Sequence, residues 1–153
     1  MKGIYRVFNV VIPFYRCNLS CCYCYLGQTQ KCIEKNSDER LDYSIDHMRK
    51  SLTVERLGGP CMFNLCAHGE TLLFTELPEI TEMLLELGHY VSIVTNATLS
   101  DRLERILSIP PHLRERLFIK CSFHFVELKR RKLLDRFFMN IDKLKNSETS
   151  FTV

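Results

Sequence analysis

Residues 17–25 read Cys17-Asn18-Leu19-Ser20-Cys21-Cys22-Tyr23-Cys24-Tyr25. They follow an apolar run, Val7 to Phe14, with the composition of a β-strand. Cys17, Cys21 and Cys24 form the pattern C-x3-C-x2-C, and Tyr23 precedes the last of them. Three thiolates this close in sequence can hold three irons of a four-iron cluster. The fourth iron then lacks a protein ligand and stays open to a small molecule. Cys22 lies inside the pattern but off its spacing, and reads as a bystander thiol.

Two other chemistries use cysteines at x2 spacing. Zinc is one, but a four-cysteine zinc site needs a second pair. Here Cys32, Cys61, Cys66 and Cys121 occur singly, although a zinc site can still borrow one of them. A redox dithiol at Cys21 and Cys24 is the other. It is expected where a helix begins in a thioredoxin-like pattern, and it leaves a third cysteine surplus.

The chain has 153 residues, enough for one domain with a real core. Apolar residues make up 46% and charged residues 25%, which excludes a disordered chain. A net charge of +3 is too small to indicate nucleic acid. Eight cysteines without a visible signal peptide argue against a secreted disulfide framework and for a reducing cytoplasm. No apolar segment approaches the ~20 residues that span a membrane.

Working outward from the cysteines, Ile4 to Ile12 is the first strand, closed by Pro13. Gly27 to Asp42 is polar and reads as loop. A helix is predicted over Tyr43 to Leu57, with Ile45, Met48 and Leu52 in phase and Gly58-Gly59-Pro60 as its stop. Cys61 to Cys66 is the second strand. Leu77 to Leu87 is an amphipathic helix, ended by Gly88. Tyr90 to Thr95 is the third strand, and Leu103, Ile106 and Leu107 mark a short helix that Pro110-Pro111 ends. Leu117 to Phe123 is the fourth strand. A longer helix follows, with Leu134, Phe137, Phe138, Ile141 and Leu144 on its inner stripe. Ser150 to Val153 opens a fifth strand.

This alternation predicts an α/β fold: a parallel sheet with outer helices. Such folds bind ligands at the C-terminal ends of their strands. Those ends carry the cysteine loop, His68-Gly69-Glu70-Thr71, Thr95-Asn96-Ala97-Thr98 and Ser122-Phe123-His124. Lys129-Arg130-Arg131-Lys132 reads as a solvated first turn of the last helix, or as a cluster with an anionic partner, since positive charge is unfavourable at a helix start.

The cysteine pattern resembles the signature of the radical S-adenosylmethionine (radical SAM) superfamily. The resemblance implies a 4Fe-4S cluster on Cys17, Cys21 and Cys24, with S-adenosylmethionine (SAM) chelating the open iron. It implies a partial (β/α) barrel of about six βα units, each ~30 residues long. Residues 1–153 then form one core domain truncated after the fourth unit, as in a fragment or a truncated gene product.

Gly69-Glu70 resembles the family's Gly-Gly-Glu segment, whose carbonyls receive the cofactor's ammonium. Gly69 then permits close backbone approach, though a bare Gly-Glu is also an ordinary strand-to-helix turn. His68 replaces the first glycine, and Thr71 stands where proline is common. The resemblance places Tyr23 near the adenine and Ser122 at the ribose or carboxylate. His124 is a neighbour of the cofactor or a plain rim histidine. Thr95-Asn96 resembles the family's Thr-Asn-Gly turn, putting Asn96 at the cofactor; Asn in a plain left-handed turn explains it equally well. One cation of residues 129–132 can reach the cofactor carboxylate.

The implied activity is reductive cleavage of SAM, with an electron from a flavodoxin or ferredoxin. The resulting 5′-deoxyadenosyl radical abstracts hydrogen from a peptide or a small metabolite. No catalytic side chain is required for the first step. The alternative is a non-catalytic zinc- or iron–sulfur-binding module.

Overall fold

The structure, a computed structural model, describes residues 3–28 and 41–153. The expected loop between Gly27 and Asp42 lies mostly outside that range, as does Cys32.

Five parallel strands form one sheet in chain order: β1 (Arg6–Ile12), β2 (Cys61–Ala67), β3 (Tyr90–Thr95), β4 (Leu117–Cys121) and β5 (Ser150–Thr152). Neighbours in space are always neighbours in sequence. A doubly wound sheet would reverse its order at a switch point; this one does not. The sheet is not closed, so the architecture is a partial barrel, as expected.

The period-2 pattern of β2 explains which face is covered. Cys61, Phe63, Leu65 and Ala67 are buried, whereas Met62, Asn64 and Cys66 between them are half-exposed. The register pairs Phe8 with Phe63, Val10 with Leu65 and Ile12 with Ala67, giving β1 the same covered face. Its other face carries Val7 and Val11, both more than half exposed, and Asn9, whose Oδ1 accepts from Asn64 Nδ2 at 2.9 Å.

Helices cover the buried face. After the cysteine loop come α1 (Tyr25–Gln28), α2 (Ile45–Ser51) and α3 (Val54–Leu57). Beyond β2 follow α4 (Leu77–Glu86), α5 (Ser100–Leu107), α6 (Pro111–Arg114), α7 (Phe125–Arg130) and α8 (Leu134–Asn146). Ile93, Leu103, Ile106, Ile119, Leu128, Phe137 and Leu144 are fully buried. Removing such an aliphatic or phenylalanine side chain from water contributes about 1.5–3 kcal/mol.

Several expected elements are corrected. The helix expected over Tyr43 to Leu57 is two helices. The Ser44 hydroxyl caps α2 at the His47 N–H, and the Thr53 hydroxyl caps a new start at the Arg56 N–H. Gly58, at φ 86°, ends α3 as expected. The first strand starts at Arg6 rather than Ile4, and the fourth ends at Cys121 rather than Phe123. Pro111 opens α6 instead of only ending α5, because a proline at a first turn loses no helical hydrogen bond. Phe138 is 53% exposed and is not on the inner stripe of α8; buried Asn140 is, donating to the Ala97 carbonyl at 2.9 Å. The basic run is not the first turn of the last helix. Lys129 and Arg130 occupy the last turn of α7, where positive charge is favourable, and Lys132, at φ 56°, lies in the break before α8.

Candidate functional site

A cavity of ≈ 690 Å³ opens at the C-terminal ends of the strands. Cys17, Cys21, Tyr23 and Cys24 line it from the loop after β1. Gly69 and Glu70 enter from the end of β2, Asn96 from the end of β3 and Ser122 from beyond β4. The three pattern cysteines and the candidate cofactor residues Tyr23, Gly69, Glu70, Asn96 and Ser122 thus meet in one space, whereas residues 129–132 do not line it. Cys22, Cys66, His68 and His124 line it too.

The cysteine loop is held by three consecutive residues that are not cysteines. Asn18 Nδ2 donates to Thr98 Oγ1 at 2.7 Å, and its Oδ1 accepts from Asn96 Nδ2 at 2.9 Å. Leu19 is 6% exposed and plugs the loop into the core. The Ser20 N–H donates to Glu127 Oε1 at 2.9 Å. The Cys24 N–H then closes a turn onto the Cys21 carbonyl at 3.0 Å.

A second seam joins the loop's start to the end of β2. The Gly69 N–H donates to the Phe14 carbonyl at 2.8 Å and the Glu70 N–H to the Arg16 carbonyl at 2.9 Å. This gives Gly69 its physical reason. A Cβ there would stand 2.0 Å from the Arg16 carbonyl oxygen. The close approach seen here is to the chain's own backbone.

Glu70 is 3% exposed and ties β2 to β3. Its carboxylate accepts from the Thr95 hydroxyl at 2.5 Å, the Asn96 N–H at 2.8 Å and the Leu72 N–H at 3.1 Å. Burial pushes its carboxyl above the ordinary value of 4.5, opposed by those donors. Burial therefore favours the protonated form. Its stabilising contribution is fully present below 4.5 and is lost as pH rises through the raised value. The unfolding free energy of Glu70→Gln relative to the natural chain should therefore rise as pH climbs from 4.5 through the raised value, and level off above it. Urea titrations from about pH 4 to about pH 8 check this; a difference that does not change with pH would remove the assignment.

The left-handed residue after β3 is Ala97, at φ 54°, not Asn96. Asn96 Oδ1 instead accepts from the Thr98 N–H at 3.1 Å and the Thr98 hydroxyl at 2.6 Å. Tyr23 OH lies 2.8 Å from His124 Nδ1. Desolvation, and its hydrogen bond with the Cys21 sulfur, push the Tyr23 hydroxyl up to about 12. Desolvation lowers His124, keeping it neutral near pH 7. His68 stacks on Tyr15 at 4.7 Å between ring centres. Its Nδ1 is buried with no hydrogen-bond partner among the described residues.

Desolvation raises the Cys17 and Cys21 thiols. The Leu19 N–H opposes this at Cys17 and the Tyr23 hydroxyl at Cys21, while the neighbouring thiolates add to the rise. Any metal bound here must release those protons. Among the described residues, no three His, Cys, Asp or Glu side chains converge tightly enough to hold a single metal ion.

The basic run is engaged. Arg130 Nε and Nη2 donate to the two oxygens of Glu127 at 2.8 Å each, and Arg131 Nε donates to Oε1 at 2.6 Å. Sequence reasoning passed over Glu127 and Asn18. The spacing of Glu127 to Arg130 and Arg131, i to i+3 and i+4, was a readable signal for the pairing. Nothing in the sequence points to its long-range bond with Ser20.

No protein-family model matches the sequence, and no curated protein matches it. Among solved structures, the chain is similar to the crystal structure of Streptococcus suis SuiB bound to precursor peptide SuiA, with a TM-score of 0.63 and 15% identity. The superposition covers 97% of this chain and 32% of SuiB, so the chain spans about a third of that protein's length. The open parallel sheet with its outer helices, a partial barrel, is the fold the chain shares with SuiB. At this identity the likeness is one of fold. No helix among the described residues is long and apolar enough to cross a membrane.

Proposed function

We propose that residues 1–153 belong to the core domain of a radical SAM enzyme that acts on a peptide. The observation that carries this reading is the convergence of Cys17, Cys21, Cys24 and Tyr23 with the three other strand ends on one cavity. The donor set fits a cluster better than zinc. A zinc ion draws its sulfurs to within about 2.3 Å of one point. A four-iron cluster takes one thiolate per iron, and Cys17, Cys21 and Cys24 around one cavity supply three such thiolates.

Bound there, the cluster and SAM would supply reductive, radical-based chemistry toward the substrate. The chain's own residues bind, orient and exclude water. Cys17, Cys21 and Cys24 would hold the three irons. Gly69, Asn96 and Ser122 line the space that SAM would fill, with Glu70 bracing the β2 and β3 ends beneath it. Tyr23, held at His124, would offer a ring face to the adenine. A peptide substrate is supported by the fold shared with SuiB, which was crystallised with its precursor peptide. A flavodoxin or ferredoxin would deliver the electron, in a reducing cytoplasm.

Anaerobic reconstitution with iron and sulfide, followed by reduction in the presence of SAM, tests the reading. A brown protein with four irons that releases 5′-deoxyadenosine is expected. A colourless protein holding one zinc would replace this reading with a structural metal module.

A further inference from the structure

Glu127 belongs to no part of the cysteine motif, yet it is one of the anchors that tie the loop to the rest of the barrel. It lies in the first turn of α7 and is 4% exposed. Its Oε1 takes the Ser20 N–H at 2.9 Å, and Ser20 sits between the first and second cysteines of the pattern. Arg130 binds both carboxylate oxygens, and Arg131 binds Oε1. Arg131 Nη2 also donates to Ser20 Oγ at 2.9 Å, closing a ring around one residue of the loop. One carboxylate and two guanidiniums leave net positive charge beside the loop.

We propose that Glu127 is a positioning residue: with Arg130 and Arg131 it fixes the cysteine loop before any metal binds, and the charge balance of this trio sets the potential felt at Cys21. The first half stands on the hydrogen bonds alone. The second half rests on the cluster reading proposed above.

A buried carboxylate is tolerated only with strong partners, and here two guanidiniums and a backbone amide provide them. The Arg130 guanidinium holds the Glu127 carboxyl down at about 2, so the trio keeps its charge at any working pH. Arg131 touches Ser20, the residue next to Cys21, which sets the trio's charge directly beside the loop. Arg130 stands at the end of α7, where the helix's own carbonyls also favour it. Removing Glu127 therefore takes away the acceptor of the Ser20 N–H while the Asn18 anchors remain.

Two experiments on the full chain test this. The first uses cluster-free protein, so it decides whether or not iron is ever taken up. Amide hydrogen exchange at Ser20 is expected to speed up by about tenfold or more in Glu127→Ala, with β2 and β3 amides unchanged. Glu127→Gln, which keeps an acceptor oxygen, should recover part of the protection and supplies a readout should the alanine variant fail to fold. Unchanged Ser20 exchange in the variant that folds would overturn the positioning role. The second measures the midpoint potential of reconstituted protein. Glu127→Gln should move it positive and Arg130→Gln negative, because one removes a negative and the other a positive charge. A merely structural role predicts no such opposition. Shifts of one sign, or none, would overturn the electrostatic half. A chain that takes no cluster would overturn the functional reading and the electrostatic half together, while leaving the exchange result to decide the first.

Discussion

Cys17→Ala, Cys21→Ala and Cys24→Ala proteins, reconstituted without oxygen, are expected to lose the iron–sulfur absorbance entirely, whereas Cys22→Ala and Cys66→Ala keep it. The cavity holds all five thiols, so proximity alone does not select three. Selection comes from how the loop is pinned. Asn18 is tied to Asn96 and Thr98, Leu19 is buried and the Ser20 N–H is tied to Glu127. Cys21 directly follows the anchored Ser20, whereas Cys22 is one residue further on and off the pattern's spacing, so Cys22 is expected to stay outside the ligand set. Cys66 is fixed in β2, on the sheet's half-exposed face, and cannot follow the loop. Changes outside the ligand set typically cost 10–100-fold in metal affinity, so losing a ligand should cost more than about 100-fold. Iron and sulfide content, with the spectrum of the reduced protein, decides it. Full content in any one of the three variants would sink the assignment of that cysteine.

Gly69→Ala should be the most damaging change that touches no sulfur. The new Cβ would lie 2.0 Å from the Arg16 carbonyl oxygen, 2.6 Å from the Arg16 carbonyl carbon and 2.7 Å from that of Tyr15. These are backbone atoms, so no side chain can swing aside. Either the Arg16 carbonyl moves and gives up the Glu70 N–H, or Gly69 moves and gives up its bond to Phe14. Forced overpacking costs about 1–3 kcal/mol and more when only backbone can yield, so about 3 kcal/mol is expected. The displaced segment leads directly into Cys17, so cluster uptake should fall with stability. Gly3→Ala is the control: nothing lies within 4 Å of its added Cβ. Urea unfolding of the two variants gives the comparison. Equal midpoints for Gly69→Ala and the natural chain would mean that the seam between β2 and the loop is not packed as described.

The basic run shows how far local pattern carries. Its helical setting was legible, but its position at the end of α7 depended on where the chain breaks, at Lys132 in a left-handed conformation. No glycine or proline marks that break. The split between α2 and α3 was similarly hidden, because the apolar residues stay in phase across it. Only the Thr53 cap, a polar residue among several, restarts the helix. Phe138 looks like core by period alone, yet it is exposed and Asn140 is buried. Helical phase fixes a face to within one neighbour, and the bond from Asn140 to the Ala97 carbonyl, with the packing of α5 and α7 on α8, makes the final choice.

By itself the sequence determined the cysteine loop, the strands and their order of appearance, the glycine stop at Gly58 and the polar strand ends that meet at one cavity. These rest on short-range causes: period-2 burial, spacing of like residues and backbone freedom at glycine. Only the tertiary structure decided that Glu70 braces two strands from within and that Gly69 makes room for Arg16. It also decided that Asn18 and Ser20 are held by residues 78 and 107 positions away. A hydrogen bond between distant segments leaves no periodic trace in either one, so it becomes visible only when the sheet brings their ends together.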